Sequence, residues 1–383
     1  MEQFDFLIKN GHVVDTRRGL DAIMDVGVAN GRIAFVGDAT SLVEYQCKQT
    51  VDAAGCYVTP GLIDMHAHVF YGGCSFALPP DLATLNNGIT TTVEAGGVGE
   101  AAYELFYRYT VHSCVVDVKS MLYVSSCGQP AFTYVENVDP KMYDNKRILK
   151  LCTDYSDNIC GLKLKFSRSI VGDLGIVPLR ESVKLAQQAG LLLCVHIKDP
   201  PVTVKEILEE LRPGDIFCHV FHEDGYTILD ENGELLPEVL DAKKRGILFD
   251  MAQGSSNFSH RIAKAAIDRG FLPDIVSSDL SMVSHNCPPA YSFNYILSEL
   301  LNLGMSFQDI IKRCTEVPAD ILKRNKEGFI HSGEIADLAI LRILQKPIHF
   351  KDSYGNEFDG NRMIKTEMTV KDGLIVYRQF DFL

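Results

Sequence analysis

The stretch Thr59-Pro-Gly-Leu-Ile-Asp-Met-His-Ala-His-Val69 joins an apolar run to a pair of histidines. His66 and His68 stand two positions apart, so on a β-strand both imidazoles point to the same face. Neutral imidazole is a common metal ligand, and two imidazoles at one strand end form half of a metal site. A chance pair of core or surface histidines is the alternative, and the rest of the chain decides between the two.

Composition and charge narrow the class of protein. Hydrophobic residues make up 46% of the 383 residues and charged residues 23%, as in soluble globular proteins. The net charge of −13 argues against nucleic acid or an anionic membrane as the partner. Eleven scattered cysteines without a Cys-x-x-Cys pair indicate reduced thiols. With neither a signal-peptide pattern nor a membrane-length apolar run, we expect a cytoplasmic protein with a small-molecule partner, and a homo-oligomer stays open.

Both ends of the chain have the pattern of short β-strands. Residues 5–55 alternate apolar segments with Asn10-Gly11 and Asn30-Gly31, and Asn-Gly is typical of hairpin turns. The stretch 368–377 has the same character. Because a single hairpin is marginally stable, we predict that the two ends pair into one small β-sandwich domain, residues 1–58 plus 332–383.

The central segment, residues 59–331, alternates apolar strand candidates with amphipathic helical stretches. The stretch 178–190 shows helical spacing, and its last residue, Gly190, stands at the C-cap position. Repeated βα units predict parallel strands, and eight of them predict an α/β fold, a TIM-like (β/α)8 barrel. An open doubly wound sheet is the alternative, but no Gly-x-Gly-x-x-Gly follows the first strand. The predicted strands lie near 62–68, 88–94, 117–125, 160–166, 191–197, 215–221, 246–252 and 274–280.

Polar residues end several of these apolar runs, where barrel enzymes carry their chemistry. Each one alone has an ordinary explanation, such as a core histidine, a helix N-cap or a lysine reaching for solvent. Their joint occurrence in the order His-x-His, Lys, His, His, Asp is improbable by chance. The residues are His66, His68, Lys163, His196, His219 and Asp279.

This order resembles the amidohydrolase superfamily, and within it the amidohydrolase/deacetylase group, often described as dihydroorotase-like. The resemblance extends over the whole chain, with further support from Gly88-Ile-Thr-Thr-Thr-Val and Val195-His-Ile-Lys-Asp-Pro-Pro201. It implies a binuclear metallohydrolase. The implied ligands are His66, His68 and Asp279 for one ion, His196 and His219 for the other, and Lys163, carboxylated by carbon dioxide, as the bridging carbamate.

The residue types agree with that implication. Histidine and carboxylate ligands suit two divalent ions, with zinc as the expected ion. A bound zinc ion lowers the pKa of water to about 7, which supplies a nucleophile near neutral pH. Asp279 then acts as general base and later as general acid. We expect hydrolysis of an amide or ester, as in deacylation of a small N-acyl or O-acyl α-carboxylate.

Three residues are predicted to bind the substrate. Lys165 and Arg168 follow Lys163 closely and supply cations for a substrate carboxylate, with an ion pair between elements as the alternative. Lys198 is a further candidate of the same kind. Gln253 stands in a stretch where the resembling group often carries a histidine, so we assign it to the substrate pocket.

Other functions stay open at this point. Within enzymes, the alternative is a cyclic amide hydrolase of the dihydroorotase or hydantoinase type, whereas a mononuclear deaminase would not need the bridging lysine. From another class, the alternative is a metal-free scaffold that binds partners, although a scaffold would be expected to lose some of these ligands. The isolated residues His222, His260 and His285 are expected to be structural or solvent-exposed. Cys127 is expected to be a buried, inert thiol, with a place in the pocket lining as the alternative.

Overall fold

The alternation of strands and helices seen in the sequence is present in the structure, a computed structural model that describes residues 2–42, 44–323 and 329–382. The strands are β1 (Glu2–Phe4), β2 (Phe6–Asp15), β3 (Leu20–Ala29), β4 (Arg32–Gly37), β5 (Tyr45–Cys47), β6 (Thr50–Asp52), β7 (Tyr57–Pro60), β8 (Leu62–Ala67), β9 (Ile89–Gly99), β10 (Asp117–Tyr123), β11 (Ile159–Lys165), β12 (Leu192–His196), β13 (Ile216–Cys218), β14 (Leu248–Asp250), β15 (Leu338–Lys351), β16 (Glu357–Lys371) and β17 (Leu374–Arg378). The α-helices are α1 (Pro80–Thr84), α2 (Tyr103–Tyr109), α3 (Asn145–Asp154), α4 (Arg168–Val171), α5 (Val177–Ala189), α6 (Val204–Glu210), α7 (Pro237–Arg245), α8 (His260–Asp268), α9 (Phe293–Leu303), α10 (Phe307–Arg313) and α11 (Glu316–Ile321).

Strands β8 to β14 form one curled sheet in chain order, and every neighbouring pair is parallel. All residues of β8 and β9 are buried, as expected for a parallel sheet covered on both faces. Because the strands are parallel, their carboxyl ends lie on one side of the molecule. The α/β, TIM-like fold class predicted from the sequence is confirmed.

The eighth predicted strand, 274–280, is replaced by a bridging segment. Ile275 forms an isolated parallel bridge to β14, and Leu280 forms one to β8, so the segment links the two edges of the sheet. Asp279 has a φ of 51°, in the left-handed region. That conformation interrupts the extended backbone that a continuous ladder requires.

Helix α5 matches the helix predicted over residues 178–190. Its side chains at Leu179, Val183 and Ala186 are buried against the sheet, at helical spacing. Burial of a side chain such as leucine stabilises the fold by about 1.5–3 kcal/mol. Gly190 ends the helix with a φ of 67°, which a glycine adopts without strain. Within the described ranges, the helices lack the length and apolar character needed to cross a membrane.

The two chain ends pair in a second, mixed sheet, as predicted. Its order is β17-β16-β15-β7-β2-β3-β4, with β6 alongside β2, and the antiparallel pair β7–β15 joins the N-terminal and C-terminal parts. Buried side chains from both ends, including Ile8, Val58 and Ile340, share one apolar core. The exact division of the chain into residues 1–58 plus 332–383 and residues 59–331 stays a prediction.

The hairpins predicted at the two Asn-Gly dipeptides have different outcomes in the structure. Asn30-Gly31 forms the predicted hairpin turn between β3 and β4. The hairpin predicted at Asn10-Gly11 is wrong, because both flanking segments belong to β2 and pair with the same strand, β3. The dipeptide forms a bulge, in which the N–H of Asn10 donates to Asp25 Oδ1 at 2.8 Å.

Gly99, at the end of β9, gives a test of the packing at the carboxyl side of the sheet. A Cβ at this position would lie 2.2 Å from the Ser125 carbonyl oxygen and 2.3 Å from that of Ser126. Because backbone atoms cannot rotate away, Gly99→Ala is expected to lower the free energy of unfolding by about 2–3 kcal/mol. Urea denaturation followed by circular dichroism measures this loss.

Gly19→Ala is the matched control. Gly19 has a φ of 64° but no atom within 4 Å of its would-be Cβ, so only the backbone conformation is penalised. The expected loss is about 1 kcal/mol. Equal losses from the two variants would contradict the steric account of Gly99.

Candidate metal centre and active site

The parallel strands bring the six predicted ligands together at their carboxyl ends. The end of β8 carries His66 and His68, β11 carries Lys163, and the end of β12 carries His196. His219 follows β13 directly, and Asp279 lies in the bridging segment. All are buried except His196, which is partly exposed. The sequence pattern therefore located a real cluster in the fold.

Asp279 lies at the centre of the cluster. Its Oδ1 is 3.1 Å from His68 Nε2 and 3.5 Å from His66 Nε2. Asn257 Nδ2 donates to the other oxygen, Oδ2, at 2.8 Å. Burial alone would raise the pKa of Asp279. The neighbouring imidazoles, of which His66 has the largest effect, hold this pKa below its usual value. The carboxyl group is therefore ionised, and both of its oxygens are held in place.

Glycine is required beside this carboxylate. A Cβ at Gly254 would lie 2.2 Å from Asp279 Oδ2. Gly96 has a similar place beside Lys163, because a Cβ there would lie 2.7 Å from Lys163 Cγ. The close approach of backbone to these side chains excludes larger residues at both positions.

His219 presents a free nitrogen to the cluster. Its Nδ1 lies 2.7 Å from the Ala252 carbonyl oxygen, to which it donates, so Nε2 carries the lone pair. Nε2 is buried and has no hydrogen-bond partner among the described residues. Its ring centroid is 4.3 Å from that of His196 and 5.3 Å from that of His66. Burial lowers the pKa of His219 to about 3, which keeps the imidazole neutral.

These donors fit a divalent metal ion. One nitrogen each from His66 and His219 and one oxygen from Asp279 lie within 4.8 Å of one another. A second group within the same limit joins His66 to the thiols of Cys194 and Cys218. Imidazole, carboxylate and thiolate are the ligands that zinc takes in proteins. The unpartnered Nε2 of His219 is the kind of buried atom that a metal ion satisfies.

Lys163 is buried beside these ligands. Its Nζ lies 3.3 Å from His66 Nε2 and 3.5 Å from Cys194 Sγ. In the described part of the chain, no carboxylate oxygen lies within 4 Å of this nitrogen. Burial lowers the pKa of this ammonium, but the neighbouring sulfur atoms of Cys194 and Cys218 and the carboxylates of Asp279 and Asp250 hold it above its usual value.

Two carboxylates behind the histidines were missed in the sequence. Glu94, in β9, accepts three backbone N–H groups at 2.5–2.8 Å, and its Oε1 lies 3.7 Å from His68 Nδ1. Asp250, at the end of β14, has its Oδ2 3.6 Å from His66 Nδ1. Such partners fix the orientation of a metal-ligating imidazole. Asp250 ends an apolar run, which is the signal that identified Asp279, whereas Glu94 lies inside β9 after three threonines and a valine.

A cavity of about 280 Å³ opens over the cluster. It is lined by His66, His68, Ala95, Gly96, Tyr123, Gln129, Phe132, Lys163, Lys165, Ser167, Ser169, His196, Lys198, Ser255, Ser256, Asn257, Asp279 and Ser281. The lining contains the predicted substrate residue Lys165, whose Nζ donates to Glu136 Oε1 at 3.2 Å, and the further candidate Lys198. The loop serines and Asn257 carry no periodic signal, so sequence reasoning did not find them.

Arg168 and Gln253 do not line this cavity. The Arg168 guanidinium donates to the Pro200 carbonyl oxygen at 3.1 Å and lies 3.6 Å from Asp199 Oδ1, so it takes the ion-pair alternative. Gln253 is fully buried, next to the helix residue Glu299. Their positions do not support the predicted role of either residue in binding substrate.

The four isolated residues also lie outside the cavity lining. His260 is structural, with its Nε2 2.5 Å from Glu299 Oε1. His222 is fully buried, and burial lowers its pKa to about 4. His285 lies on a partly exposed loop. Cys127 is exposed, so the prediction of a buried thiol is wrong. All eleven cysteines are free thiols.

Comparison with known proteins identifies the family. The model of the amidohydrolase family matches residues 57–376. The chain belongs to the amidohydrolase family. The fold, the strand-end histidines and the metal-compatible donor set are those of an amidohydrolase-family hydrolase.

Individual relatives cover nearly the whole chain. A deacetylase of Brucella anthropi is 31% identical over 91% of this chain and 87% of its own length. A deacetylase of Agrobacterium fabrum is 32% identical over 85% of this chain and 80% of its own length. The crystal structure of a dihydroorotase covers 98% of this chain and 99% of its own, with 28% identity and a TM-score of 0.89.

Glu94 gives a test of the metal centre. Glu94→Gln preserves the size of the side chain but places an amide donor among three backbone donors. The variant is therefore expected to misplace His68 and to lower metal affinity about 10- to 100-fold. Competition with a chromophoric chelator measures the affinity.

Glu104→Gln, on the surface of α2, is the control, since the Glu104 side chain is 59% exposed and pairs only with Arg147 among the described residues. Its metal affinity should equal that of the parent protein. Unchanged affinity in Glu94→Gln would contradict the orienting role of Glu94.

Proposed function

We propose that this amidohydrolase is a binuclear metal-dependent deacylase that hydrolyses the amide or ester bond of a small N-acyl or O-acyl α-carboxylate. The observation that carries the proposal is the convergence of six metal-compatible side chains beneath one cavity. Membership of the amidohydrolase family and the deacetylases among the relatives support the reaction class.

The chain holds enough donors for two zinc ions. We assign His66, His68 and Asp279 to one ion, His196 and His219 to the other, and Lys163 to the bridge. The bridging role requires a carbamate formed from Lys163 and carbon dioxide. The burial of Lys163 beside His66, with its Nζ 3.3 Å from His66 Nε2, supports that assignment, because a carbamate at this place would supply an anionic ligand to the two cations.

When bound, divalent ions polarise the scissile carbonyl and make a water molecule more acidic. Asp279 faces the cavity and accepts the proton of the attacking water, then delivers it to the leaving nitrogen or oxygen. Asn257 keeps the carboxylate oriented through Oδ2. The surrounding imidazoles favour the ionised form of Asp279, which a general base must have before the attack.

The cavity wall supplies cations for the substrate carboxylate. Lys165 and Lys198 both line it, together with the hydroxyl groups of Ser167 and Ser169. Ammonium and hydroxyl donors bind a carboxylate through charge-assisted hydrogen bonds. A carboxylate held there would orient the acyl group over Asp279, and such positioning contributes strongly to the rate.

A cyclic amide hydrolase of the dihydroorotase type is the second candidate. The observation in its favour is the similarity to the dihydroorotase structure over 98% of the chain. A non-catalytic scaffold is a third candidate, and the presence of all six assigned ligands argues against it.

The remaining proposals concern partners and location. We propose a small molecule as the partner, without nucleic acid or membrane, because the net charge is −13. Cytoplasmic location and assembly into a homo-oligomer also remain proposals.

A substrate panel tests the proposed function. Metal-replete protein is assayed with N-acetyl α-amino acids and O-acetyl 2-hydroxy acids, with their carboxyl-blocked methyl esters, and with dihydroorotate and hydantoin. The free acids should be preferred at least about tenfold in kcat/KM. Asp279→Asn should lose about 10²- to 10⁴-fold in turnover, since an amide cannot carry the proton.

Asp268→Asn is the matched control, because Asp268 is half-exposed on α8 and pairs with Lys264. It should retain full activity. Equal turnover of free and blocked acids would contradict the substrate class. Ring opening without deacylation would assign the protein to the cyclic amide hydrolases.

A further inference from the structure

The turn between β15 and β16, residues 352–356, belongs to the mixed sheet but lies against the barrel. The buried Asp352 carboxylate accepts N–H groups from Tyr354 at 2.9 Å and from Asn356 at 2.8 Å within the turn. It also accepts the backbone N–H of His260, in α8, at 2.7 Å. These bonds give the turn a fixed shape and a fixed place on the barrel.

Tyr354 extends from this turn to Ser256, which lines the cavity. Its hydroxyl donates to Asp224 Oδ2 at 2.6 Å and lies 3.2 Å from the Ser256 carbonyl oxygen. Its ring centroid is 5.9 Å from Lys198 Nζ, within the range of a cation–π contact. A side chain of the C-terminal strands therefore contacts the part of the barrel that lines the cavity.

The same two oxygens hold the Lys198 ammonium. Lys198 Nζ donates to the Ser256 carbonyl oxygen at 2.6 Å and lies 3.3 Å from Asp224 Oδ2. An ammonium has three N–H donors, so one remains for a ligand in the cavity that Lys198 lines. Because the Tyr354 hydroxyl holds the Asp224 carboxylate in place, it also constrains the direction of this remaining donor.

Besides Lys163, two lysines line the cavity, and they differ in how their charge is compensated. Lys165 pairs with Glu136, which is buried, and an ion pair is strong where water is excluded. Lys198 pairs with Asp224, whose side chain is 39% exposed, so water screens that attraction. Lys198 therefore keeps more of its charge available to a substrate anion.

Building on the proposed deacylase function, we propose that Lys198 binds the substrate carboxylate and that Tyr354 is the positioning residue that fixes its ammonium. The mixed sheet then contributes to substrate selection through the turn at residues 352–356. Tyr354 itself does not line the cavity and takes no part in the bond cleavage.

Lysine labelling tests the positioning without substrate turnover. The full chain is treated with trace acetic anhydride, and acetylation of each lysine is followed by mass spectrometry. Tyr354→Phe keeps the ring and removes only the hydroxyl. Loss of this hydrogen bond should raise the labelling rate of Lys198 about three- to tenfold. Lys165, held by Glu136, should be unchanged, and Tyr109→Phe, an exposed tyrosine of α2, serves as the control variant.

A double-mutant cycle tests the effect on specificity. The measured quantity is the ratio of kcat/KM for a free acid to kcat/KM for its methyl ester. Tyr354→Phe should lower this ratio about fivefold, mainly through KM for the acid. Lys198→Gln should lower it further, and Tyr354→Phe should add nothing in the Lys198→Gln background, because the two residues act as one unit.

The outcomes separate the positioning from the proposed function. Unchanged labelling of Lys198 in Tyr354→Phe, or additive effects in the cycle, would overturn the positioning role of Tyr354. Faster labelling of Lys198, in a protein that deacylates no acid of the panel, would support that role and overturn the proposed function instead.

Discussion

The structure depends on one electrostatic constraint: an ionised carboxylate, several imidazoles and a lysine share a buried space at the end of a parallel sheet. Removing a charge from water costs several kcal/mol unless partners compensate for it. Asp279 is compensated by His66 and His68 and by the amide of Asn257. His219 Nε2 lacks a partner among the described residues. This unpartnered nitrogen is where a metal ion would complete the centre.

The parallel sheet can hold these groups together because neighbouring residues orient the side chains at the carboxyl ends of its strands. Glu94 and Asp250 sit behind the histidines, and the left-handed backbone at His219 and Asp279 directs their side chains inward. Strained conformations of this kind persist only where neighbouring structure determines them. The mixed sheet adds its own support through Tyr354, so both sheets shape the same cavity.

Local sequence information predicts the barrel and the cluster of polar side chains at its strand ends well, because periodicity and polar strand ends are properties of short segments. It fails where the structure depends on contacts between residues that are far apart in the sequence. Asn10-Gly11 and Asn30-Gly31 carry the same turn signal, yet only the second is a hairpin, because both segments around the first pair with β3. Arg168 and Lys198 both follow strand ends, but contacts in the folded loops bring only Lys198 to the cavity. Tyr354 gives no local signal, since its role depends on the fold of the C-terminal hairpin.

The central claim is that the strand-end residues form a binuclear metal site bridged by Lys163. Elemental analysis of metal-replete protein after desalting tests it most directly. The account predicts about two divalent ions per chain in the parent protein and in Lys165→Ala, and at most one in Lys163→Ala. A parent protein that retains no metal, or a Lys165→Ala variant that loses its ions while Lys163→Ala keeps both, would contradict the account.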